Sequence, residues 1–283
     1  MNALRAALRT ARGLQFVGAP SPLYAKLIER HGFDGVYLSG AVMSNAVYGV
    51  PDDGTLTLEQ VAETARHVCA ATELPVLCDA DTGFTDEGDV SACVRALEAA
   101  GVAALHIEDQ IAAKKCGHLE GKQLVPTALM VEKIRSALRA RRNPELVLIA
   151  RTDARGVTGF DDAVARARAY REAGADVLFA DALHTAEEFR RFAESCPGPL
   201  MANMTEFGKS QLLDHGQLAE FGYTIVIYPV TLMRLMLATA DTALGTLKQA
   251  GHQRGLVPRM WTRKQLYDLL EYDQAVPQPP AAD

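Results

Sequence analysis

The sequence has no apolar stretch approaching the roughly 18 residues that a membrane-spanning helix needs, so it predicts no membrane partner. It also lacks a surplus of positive charge. With 29 Lys and Arg against 35 Asp and Glu, its net charge is −6. This balance predicts no nucleic-acid partner, because phosphate-binding faces are usually basic. A few buried arginines could still bind a small anionic substrate.

The five cysteines include no CxxC pair, and an odd number fits a reducing compartment better than a set of disulfides. We therefore expect a cytoplasmic protein. Four of the cysteines stand in apolar surroundings and are interpreted as small core residues. Cys116 differs, because lysines, a glycine and a histidine surround it.

No GxGxxG motif follows the first apolar run, which argues against a doubly wound open sheet, the alternative fold. Eight short apolar runs alternate with stretches of helical spacing. Short, almost wholly apolar runs are typical of strands covered on both faces. The pattern predicts a (β/α)8 TIM-type barrel. Its predicted strands are residues 14–17, 36–38, 76–78, 104–107, 146–150, 177–179, 200–202 and 225–228.

The ends of the predicted helices are marked by residues with capping tendencies. Gly101 and Gly174 follow Ala-rich helix ends, where a left-handed residue is favoured. Side chains that can accept a hydrogen bond from a helix amide predict N-caps at Thr57, Asp86, Thr127, Asp161 and Thr185.

Chain length permits one large domain or two, and α/β barrels commonly reach 283 residues as a single unit. We predict one barrel domain over residues 1–283. It includes a C-terminal helical extension, at about residues 231–272, and a disordered proline-rich tail.

Polar residues follow most of the predicted strands directly. The carboxyl ends of the strands carry the active site in barrels of this kind, so these residues are candidates for the site. They are Ser39 and Gly40, Asp79 and Asp81, Glu108 and Asp109, Arg151 and Asp153, Asp181, and the segment 203–206.

Asp79 and Asp81 are two residues apart on extended chain and therefore point to the same side. Like charges this close need a cation or a shared proton, and Mg²⁺ prefers one or two carboxylates with waters and substrate oxygens. Glu108 could join through water. Helix capping or an ion pair on the rim is the alternative role. Arg151 needs an anionic partner, either a substrate carboxylate or a neighbouring acid, Asp153 or Glu108.

Cys116 is a candidate proton donor or nucleophile. Lys114, Lys115 and His118 are expected to favour its thiolate and so keep its proton transferable near neutral pH. His106, inside a predicted strand, is interpreted either as a hydrogen-bonded core residue or as a catalytic one.

Six segments resemble the isocitrate lyase/phosphoenolpyruvate mutase superfamily, and the likeness extends from about residue 14 to 272. They are YLSG at 37–40, DADTGF at 79–84, HIEDQ at 106–110, KKCGH at 114–118, ARTDA at 150–154 and NMTEFG at 203–208. The KKCGH motif is similar to the lyase branch rather than the mutases. The chain is too short for a full isocitrate lyase, and it most resembles the lyases that cleave 2-methylisocitrate.

The resemblance implies Mg²⁺, with Mn²⁺ as a substitute, held by Asp79 and Asp81 with Asp52 and Glu108 nearby. It implies catalysis by Cys116 on a loop that closes over the site, with His118 beside it and Tyr37 as a candidate base. A small di- or tricarboxylate substrate would contact Ser39, Gly40, Ala41, Gly117, Arg151, Asp181, Asn203, Thr205, Arg234 and Arg263. It also implies a homotetramer of dimers that exchange their last helix.

The implied reaction splits 2-methylisocitrate into pyruvate and succinate, a step of propionate catabolism. Three residues or segments depart from the pattern of the tricarboxylate lyases. Ala41 replaces a glycine and could crowd the pocket floor, and Asp181 replaces a glutamate and reaches less far. Residues 119–122 read LEGK, closer to enzymes that act on shorter substrates, so dimethylmalate, another alkylmalate or oxaloacetate is the alternative substrate. A barrel that only binds dicarboxylates is the alternative outside enzymes, although such a protein has no use for a proton donor.

Overall fold

The computed structural model describes residues 3–272. Within them, eight parallel strands pair in chain order, and β8 pairs with β1 to close a barrel. The predicted (β/α)8 fold is confirmed. The strands are β1 (Leu14–Gly18), β2 (Gly35–Leu38), β3 (Val76–Asp79), β4 (Ala104–Glu108), β5 (Val147–Thr152), β6 (Val177–Ala180), β7 (Leu200–Asn203) and β8 (Ile225–Tyr228).

Helices connect the strands, and the predicted amphipathic stretches lie on them. They are α1 (Ala3–Thr10), α2 (Pro22–Arg30), α3 (Gly40–Val42), α4 (Leu58–Cys69), α5 (Ser91–Ala99), α6 (Thr127–Ala140), α7 (Phe160–Glu172), α8 (Ala186–Ser195), α9 (His215–Glu220), α10 (Thr231–Ala250) and α11 (Arg263–Leu269). A π-helical turn, Met43–Tyr48, continues α3.

Two of the predicted N-caps are confirmed. Thr57 accepts a hydrogen bond from the amide of Gln60, and Thr185 accepts one from Glu188. The other three predictions are wrong, because the helices begin elsewhere. Asp86 instead accepts a hydrogen bond from Ala112 in a loop, while Thr127 and Asp161 lie inside the first turns of α6 and α7. Gly101 and Gly174 have the expected positive φ, 94° and 108°.

Side-chain alternation along the strands separates the barrel's interior from its outer layer. The interior is filled by large apolar side chains, among them Phe16, Leu77, Ile149 and Phe179, and is continuous with Leu4 and Leu8 of α1. Each strand then presents its next inward residue at the carboxyl end of the barrel. Two residues after Leu77 comes Asp79, two after Ile149 comes Arg151, and two after Phe179 comes Asp181.

The chain divides between Met233 and Arg234 into two compact units. The first contains the barrel. The second contains most of α10, a 3-10 turn (Arg254–Arg259) and α11, which begins with a capping box between Thr262 and Gln265. The single-domain assignment and the exchanged helix stay predictions. The proline-rich tail lies outside the described residues.

No helix in the described part of the chain is both long enough and apolar enough to span a bilayer.

Candidate active site

Two aspartates form the floor of the site at the carboxyl end of β3. The carboxylate of Asp79 accepts hydrogen bonds from the amides of Gly40 and Asp81, each at 3.1 Å. Asp81 takes up a left-handed conformation, with φ 47°, and is buried. The chain after β3 therefore folds back so that its own amide supports the Asp79 carboxylate.

Lys114 reaches this acidic floor from the loop that carries Cys116. Its ammonium lies 2.5 Å from Asp52 Oδ1 and 2.7 Å from Asp81 Oδ1, and the side chain is buried. Burial disfavours the ammonium, but the carboxylates of Asp81 and Glu108 outweigh it and raise the pKa of Lys114. Lys114 is thus an ion-pair partner of two of the predicted metal ligands.

The site holds more buried acid than base, which suits a divalent cation. Within it, three cations (Lys114, Lys122 and Arg151) face six carboxylates: Asp52, Asp79, Asp81, Glu108, Asp153 and Asp181. Glu108 Oε1 is buried without a hydrogen-bond partner among the described residues. No three His, Cys, Asp or Glu of residues 3–272 form a ready-made metal cage. Mg²⁺ does not require one, because it keeps several waters and binds few carboxylates. The donor set fits Mg²⁺.

The acids of the site differ in their readiness to lose a proton. Burial raises the pKa of Asp81 to about 6, with the Asp79 charge adding to the effect and Lys114 opposing it. Burial also raises the pKa of Glu108. Burial opposes the ionisation of Asp79 too, but the charges of Lys114 and Arg151 and the hydrogen bond from the Asp81 amide lower its pKa. A bound cation would help both Asp81 and Glu108 to ionise.

Tyr37 and His106 lie beneath the aspartates, fully enclosed. The Tyr37 hydroxyl and His106 Nε2 are 2.8 Å apart, and Nε2 is 3.6 Å from Asp79 Oδ1. Burial lowers the pKa of His106 to about 4, so the imidazole is neutral at pH 7 and Lys114 and Arg151 are the cations near Asp79. Burial raises the pKa of Tyr37 well above its usual value. A phenol held protonated in this way is poorly suited to the predicted role of base.

Arg151 connects three carboxylates at the centre of the site. It donates to Asp153 from both Nε and Nη2, at 2.9 and 3.1 Å, and lies 3.0 Å from Glu108 and 3.2 Å from Asp181. The register places Arg151 directly opposite Glu108 on the neighbouring strand. The neighbouring acids proposed as its partners are therefore confirmed, and Asp181 joins them. The substrate role stays a prediction.

Asp109 is a structural support for the end of β5. Its buried carboxylate accepts hydrogen bonds from Thr152 Oγ1 at 2.7 Å, the Asp153 amide at 2.9 Å and Tyr170 Oη at 2.7 Å. These bonds fix the backbone between Arg151 and Asp153.

Residues 111–123, here called the cysteine loop, lie over the site. The loop is closed at its base, where Ile111 and Gln123 share a backbone hydrogen bond of 3.1 Å. Gly117 packs so tightly that a Cβ there would lie 1.7 Å from Asp181 Oδ2 and 2.5 Å from Arg151 Nη2. Only glycine can bring the loop backbone so close, and this places the residue after Cys116 against Arg151 and Asp181.

The acidity of Cys116 differs from the sequence-based expectation. Burial raises the pKa of the thiol, with the charges of Asp181 and Asp52 adding to the effect. Lys114 is committed to carboxylates, and the Lys115 side chain is exposed. The prediction that these lysines favour the thiolate is therefore wrong. The protonated thiol that results is the form a proton donor needs.

Other predicted residues surround the same opening. His118 Nδ1 accepts a hydrogen bond from the Lys209 amide at 3.0 Å, and its Nε2 lies 3.5 Å from Asn203 Nδ2. Asn203 donates to Asp181 at 3.0 Å. Ser39, Gly40 and Thr205 are buried, and Ala41 is half-buried. Arg234 and Arg263 belong to the second compact unit, and their part in binding stays a prediction.

Sequence reasoning missed Lys122 altogether. Its ammonium donates to the Gly117 carbonyl and lies 3.1 Å from Asp153 Oδ1. Its partner Asp153 was among the predicted site residues, and it lies two residues after Arg151 on the inward alternation of β5. Nothing in the local sequence marks Lys122 as buried.

Comparison with known proteins agrees with this geometry. The family described as phosphoenolpyruvate phosphomutase matches residues 4–248. This chain belongs to the phosphoenolpyruvate mutase/isocitrate lyase superfamily. Among related superfamily enzymes, a probable 2-methylisocitrate lyase of Corynebacterium glutamicum is 47% identical over 96% of this chain and 89% of its own length. The 2-methylisocitrate lyase of Aeropyrum pernix is 46% identical, over 90% of this chain and 82% of its own.

Solved structures of the superfamily share the fold closely. A 2,3-dimethylmalate lyase has a TM-score of 0.88 and 35% identity, covering 94% of this chain and 90% of its own. A phosphonopyruvate hydrolase in complex with oxalate and Mg²⁺ has a TM-score of 0.85 and 31% identity, covering 95% of this chain and 94% of its own.

Proposed function

We infer that this protein is a Mg²⁺-dependent carbon–carbon lyase that cleaves 2-methylisocitrate to pyruvate and succinate. The observation that carries this proposal is the position of the cysteine loop. Gly117 is packed on Arg151 and Asp181, so the loop brings Cys116, the residue before it, to the acid-rich barrel mouth. The names of the 40–48% identical relatives support the choice of substrate.

Asp79 and Asp81 would hold Mg²⁺, with Asp52 and Glu108 nearby, and the bound ion would polarise the α-hydroxy carboxylate of the substrate. Mn²⁺ would serve as a substitute. Arg151 would bind a substrate carboxylate, as would donors among Ser39, Gly40, Ala41, Gly117, Asn203 and Thr205. Asp181 would orient Arg151 and Asn203, since both donate to it.

The proposed cleavage is a retro-aldol-like step. A base takes the proton of the substrate hydroxyl, the adjacent carbon–carbon bond breaks, and its electron pair passes into the departing half. That half becomes a carbanion delocalised into its carboxylate, which nearby cations stabilise. The Cys116 thiol gives its proton to this carbon to form succinate, and His118 would help to hold the loop in place. The proton taken from the hydroxyl balances the one that the thiol donates.

The metal is expected to bind more weakly in acid. Because burial raises the pKa of Asp81 to about 6, this carboxyl is protonated below that pH, and the proton must leave when the ion binds. Protonation of Asp81 should therefore lower the Mg²⁺ affinity by about tenfold per pH unit below pH 6. Calorimetric titration of the metal-free protein with Mg²⁺ across this range measures it.

Asp53→Asn serves as the matched control, because Asp53 is adjacent to Asp52 but exposed. It should follow the wild-type curve, while Asp81→Asn should bind weakly at every pH. An affinity that stays flat or improves towards acid would contradict the assignment.

Chelation with EDTA should abolish turnover, and added Mg²⁺ should restore it. Activity that does not change with EDTA would remove the metal from the proposal.

A shorter substrate is the second candidate, favoured by the LEGK sequence at 119–122 and by likeness to 2,3-dimethylmalate lyase. A panel of 2-methylisocitrate, isocitrate, 2,3-dimethylmalate and oxaloacetate separates the two, with 2-oxo-acid or acetate release as the readout. The highest kcat/KM is expected with 2-methylisocitrate. Faster turnover of dimethylmalate or oxaloacetate would transfer the assignment, and binding without turnover of any of them would indicate a dicarboxylate-binding barrel.

The proposal includes a homotetramer whose dimers exchange the C-terminal helix, a cytoplasmic location and a role in propionate catabolism. Exposed apolar side chains on α10, Leu235, Leu237 and Leu244, support a partner for this helix. The free cysteines support a reducing compartment. Sedimentation equilibrium should give four times the chain mass of 30.6 kDa. A Leu237→Asp/Leu244→Asp variant should shift the protein towards monomer, and a monomeric wild-type protein would exclude the exchange.

A further inference from the structure

Lys122 lies at the return arm of the cysteine loop and is buried with its charge. We propose that it is a positioning residue, which holds this loop closed over the site by joining the Gly117 carbonyl to Asp153. The proposal rests on Cys116 being the proton donor of the proposed function. It adds the residue that fixes the position of the Cys116 thiol.

The contacts of Lys122 connect two separate parts of the site. Its ammonium donates to the carbonyl of Gly117, the residue that follows Cys116, and lies 3.1 Å from Asp153 Oδ1. Asp153 in turn binds Arg151 through both of its oxygens. The thiol-bearing turn is therefore linked through one lysine to the side chain that fixes Arg151.

Because Lys122 is buried, its ammonium has both acceptors only when the cysteine loop is closed. The Lys122 side chain is 1% exposed and Asp153 is fully buried. An ammonium has three donors and is costly to bury without acceptors. If the loop opens, Gly117 withdraws its carbonyl and the buried charge loses one of its two partners. The Lys122 contacts thus favour the closed loop over the open one.

His118 and Glu120 also tie the loop to Lys209, but of the three lysines in the loop Lys122 is the one that contacts the peptide after Cys116. Lys114 is directed to Asp52 and Asp81, on the metal side. Lys115 is held by its backbone, which exchanges hydrogen bonds with the Gln110 side chain at 2.8 and 3.0 Å. Neither contact reaches the peptide after Cys116.

The test measures how often the loop opens, through the reactivity of Cys116 in the metal-free, substrate-free full-length protein. Iodoacetamide labelling of the Cys116 peptide is followed by mass spectrometry over a range of pH. The plateau rate at high pH reports access to the thiol, and the midpoint reports its acidity. Lys122→Met should raise the plateau by about 10- to 100-fold, the effect of losing a charge-assisted hydrogen bond.

The same variant should lower kcat and change KM little, because the closed loop is needed for proton delivery rather than for binding. Lys115→Met is the matched control. It removes the same group from the same loop, but the Lys115 side chain is exposed and makes no ion pair among the described residues. It should leave the plateau unchanged.

Gly156→Ala provides a milder perturbation that keeps the charge of Lys122. A Cβ at Gly156 would lie 3.1 Å from Lys122 Nζ, so the ammonium must shift by a few tenths of an ångström. The plateau should rise in the same direction but by less. If Lys122→Met does not fold, as judged by circular dichroism, this variant decides alone.

A plateau that stays at the wild-type value in Lys122→Met, or in Gly156→Ala where the first variant does not fold, would overturn the proposal. So would a shift of the midpoint at constant plateau, since that is an electrostatic effect on the thiol. Labelling requires no substrate, so the result stands whether or not 2-methylisocitrate is cleaved. If none of the panel's substrates is cleaved, the proposed function is wrong, but the labelling experiment still decides the role of Lys122.

Discussion

Replacing Cys116 by serine is expected to reduce turnover by about 10²- to 10⁴-fold, the contribution of a general acid, with little change in KM. A serine hydroxyl occupies nearly the same space but is a far weaker acid than a thiol. The loop contacts through Gly117 and His118 involve other atoms and should persist. Pyruvate release from 2-methylisocitrate, coupled to lactate dehydrogenase, measures the loss.

Cys69→Ser is the control for this experiment. Cys69 is a partly exposed cysteine at the end of α4, and burial raises its pKa to about 11. Its replacement should leave turnover unchanged. If the Cys116→Ser variant turns over substrate as fast as the wild-type protein, the loop thiol is structural and the proposed chemistry is wrong.

Arg151→Met is expected to abolish activity and to destabilise the fold by about 3–5 kcal/mol, the cost of removing one partner from a buried ion pair. Glu108, Asp153 and Asp181 would all lose the same cation. The methionine can replace the packing over the Phe179 ring, where the guanidinium carbon lies 5.4 Å from the ring centroid, but it cannot replace the charge. Urea unfolding followed by circular dichroism measures the change in the free energy of unfolding.

The matched control is Arg155→Met, outside the site. Arg155 binds Glu188 at 2.7 Å, but its side chain is 20% exposed, so both charges retain contact with water. A loss of about 1 kcal/mol is expected there, the upper range for an exposed pair. If Arg151→Met unfolds at the wild-type urea concentration, Arg151 does not neutralise the three acids in the way proposed.

The fold was predictable from sequence because strands of a parallel barrel are buried on both faces, and runs such as 225–228 are apolar throughout. Six of the eight predicted strands nevertheless ended too early, while β2 and β8 ended where predicted. β3 includes Asp79, and β5 continues to Thr152, since strand hydrogen bonding extends into the polar residues of the site. Hydrophobicity alone cannot locate that boundary.

The site was predictable where function follows a strand end, and less so where it depends on loops. Asp79, Glu108, Arg151 and Asp181 converge because strand register brings them to one opening. Cys116 was recognised from its neighbours, but its surroundings were misjudged. Sequence proximity placed Lys114 beside the thiol, whereas the fold directs it to Asp52 and Asp81. Tertiary contacts of this kind leave no local pattern.

The two-residue alternation along the strands has a consequence for how this fold changes its chemistry. Phe179 packs in the barrel interior and Asp181 lies at the carboxyl end of the barrel. Both side chains point inward because they are two residues apart. Inserting a single residue between them would turn Asp181 towards the surrounding helices. A substitution at this position leaves the direction of the side chain unchanged. New reactions can therefore arise by exchanging the side chains at the mouth while the barrel interior is kept, and the 2,3-dimethylmalate lyase and the phosphonopyruvate hydrolase share this fold closely.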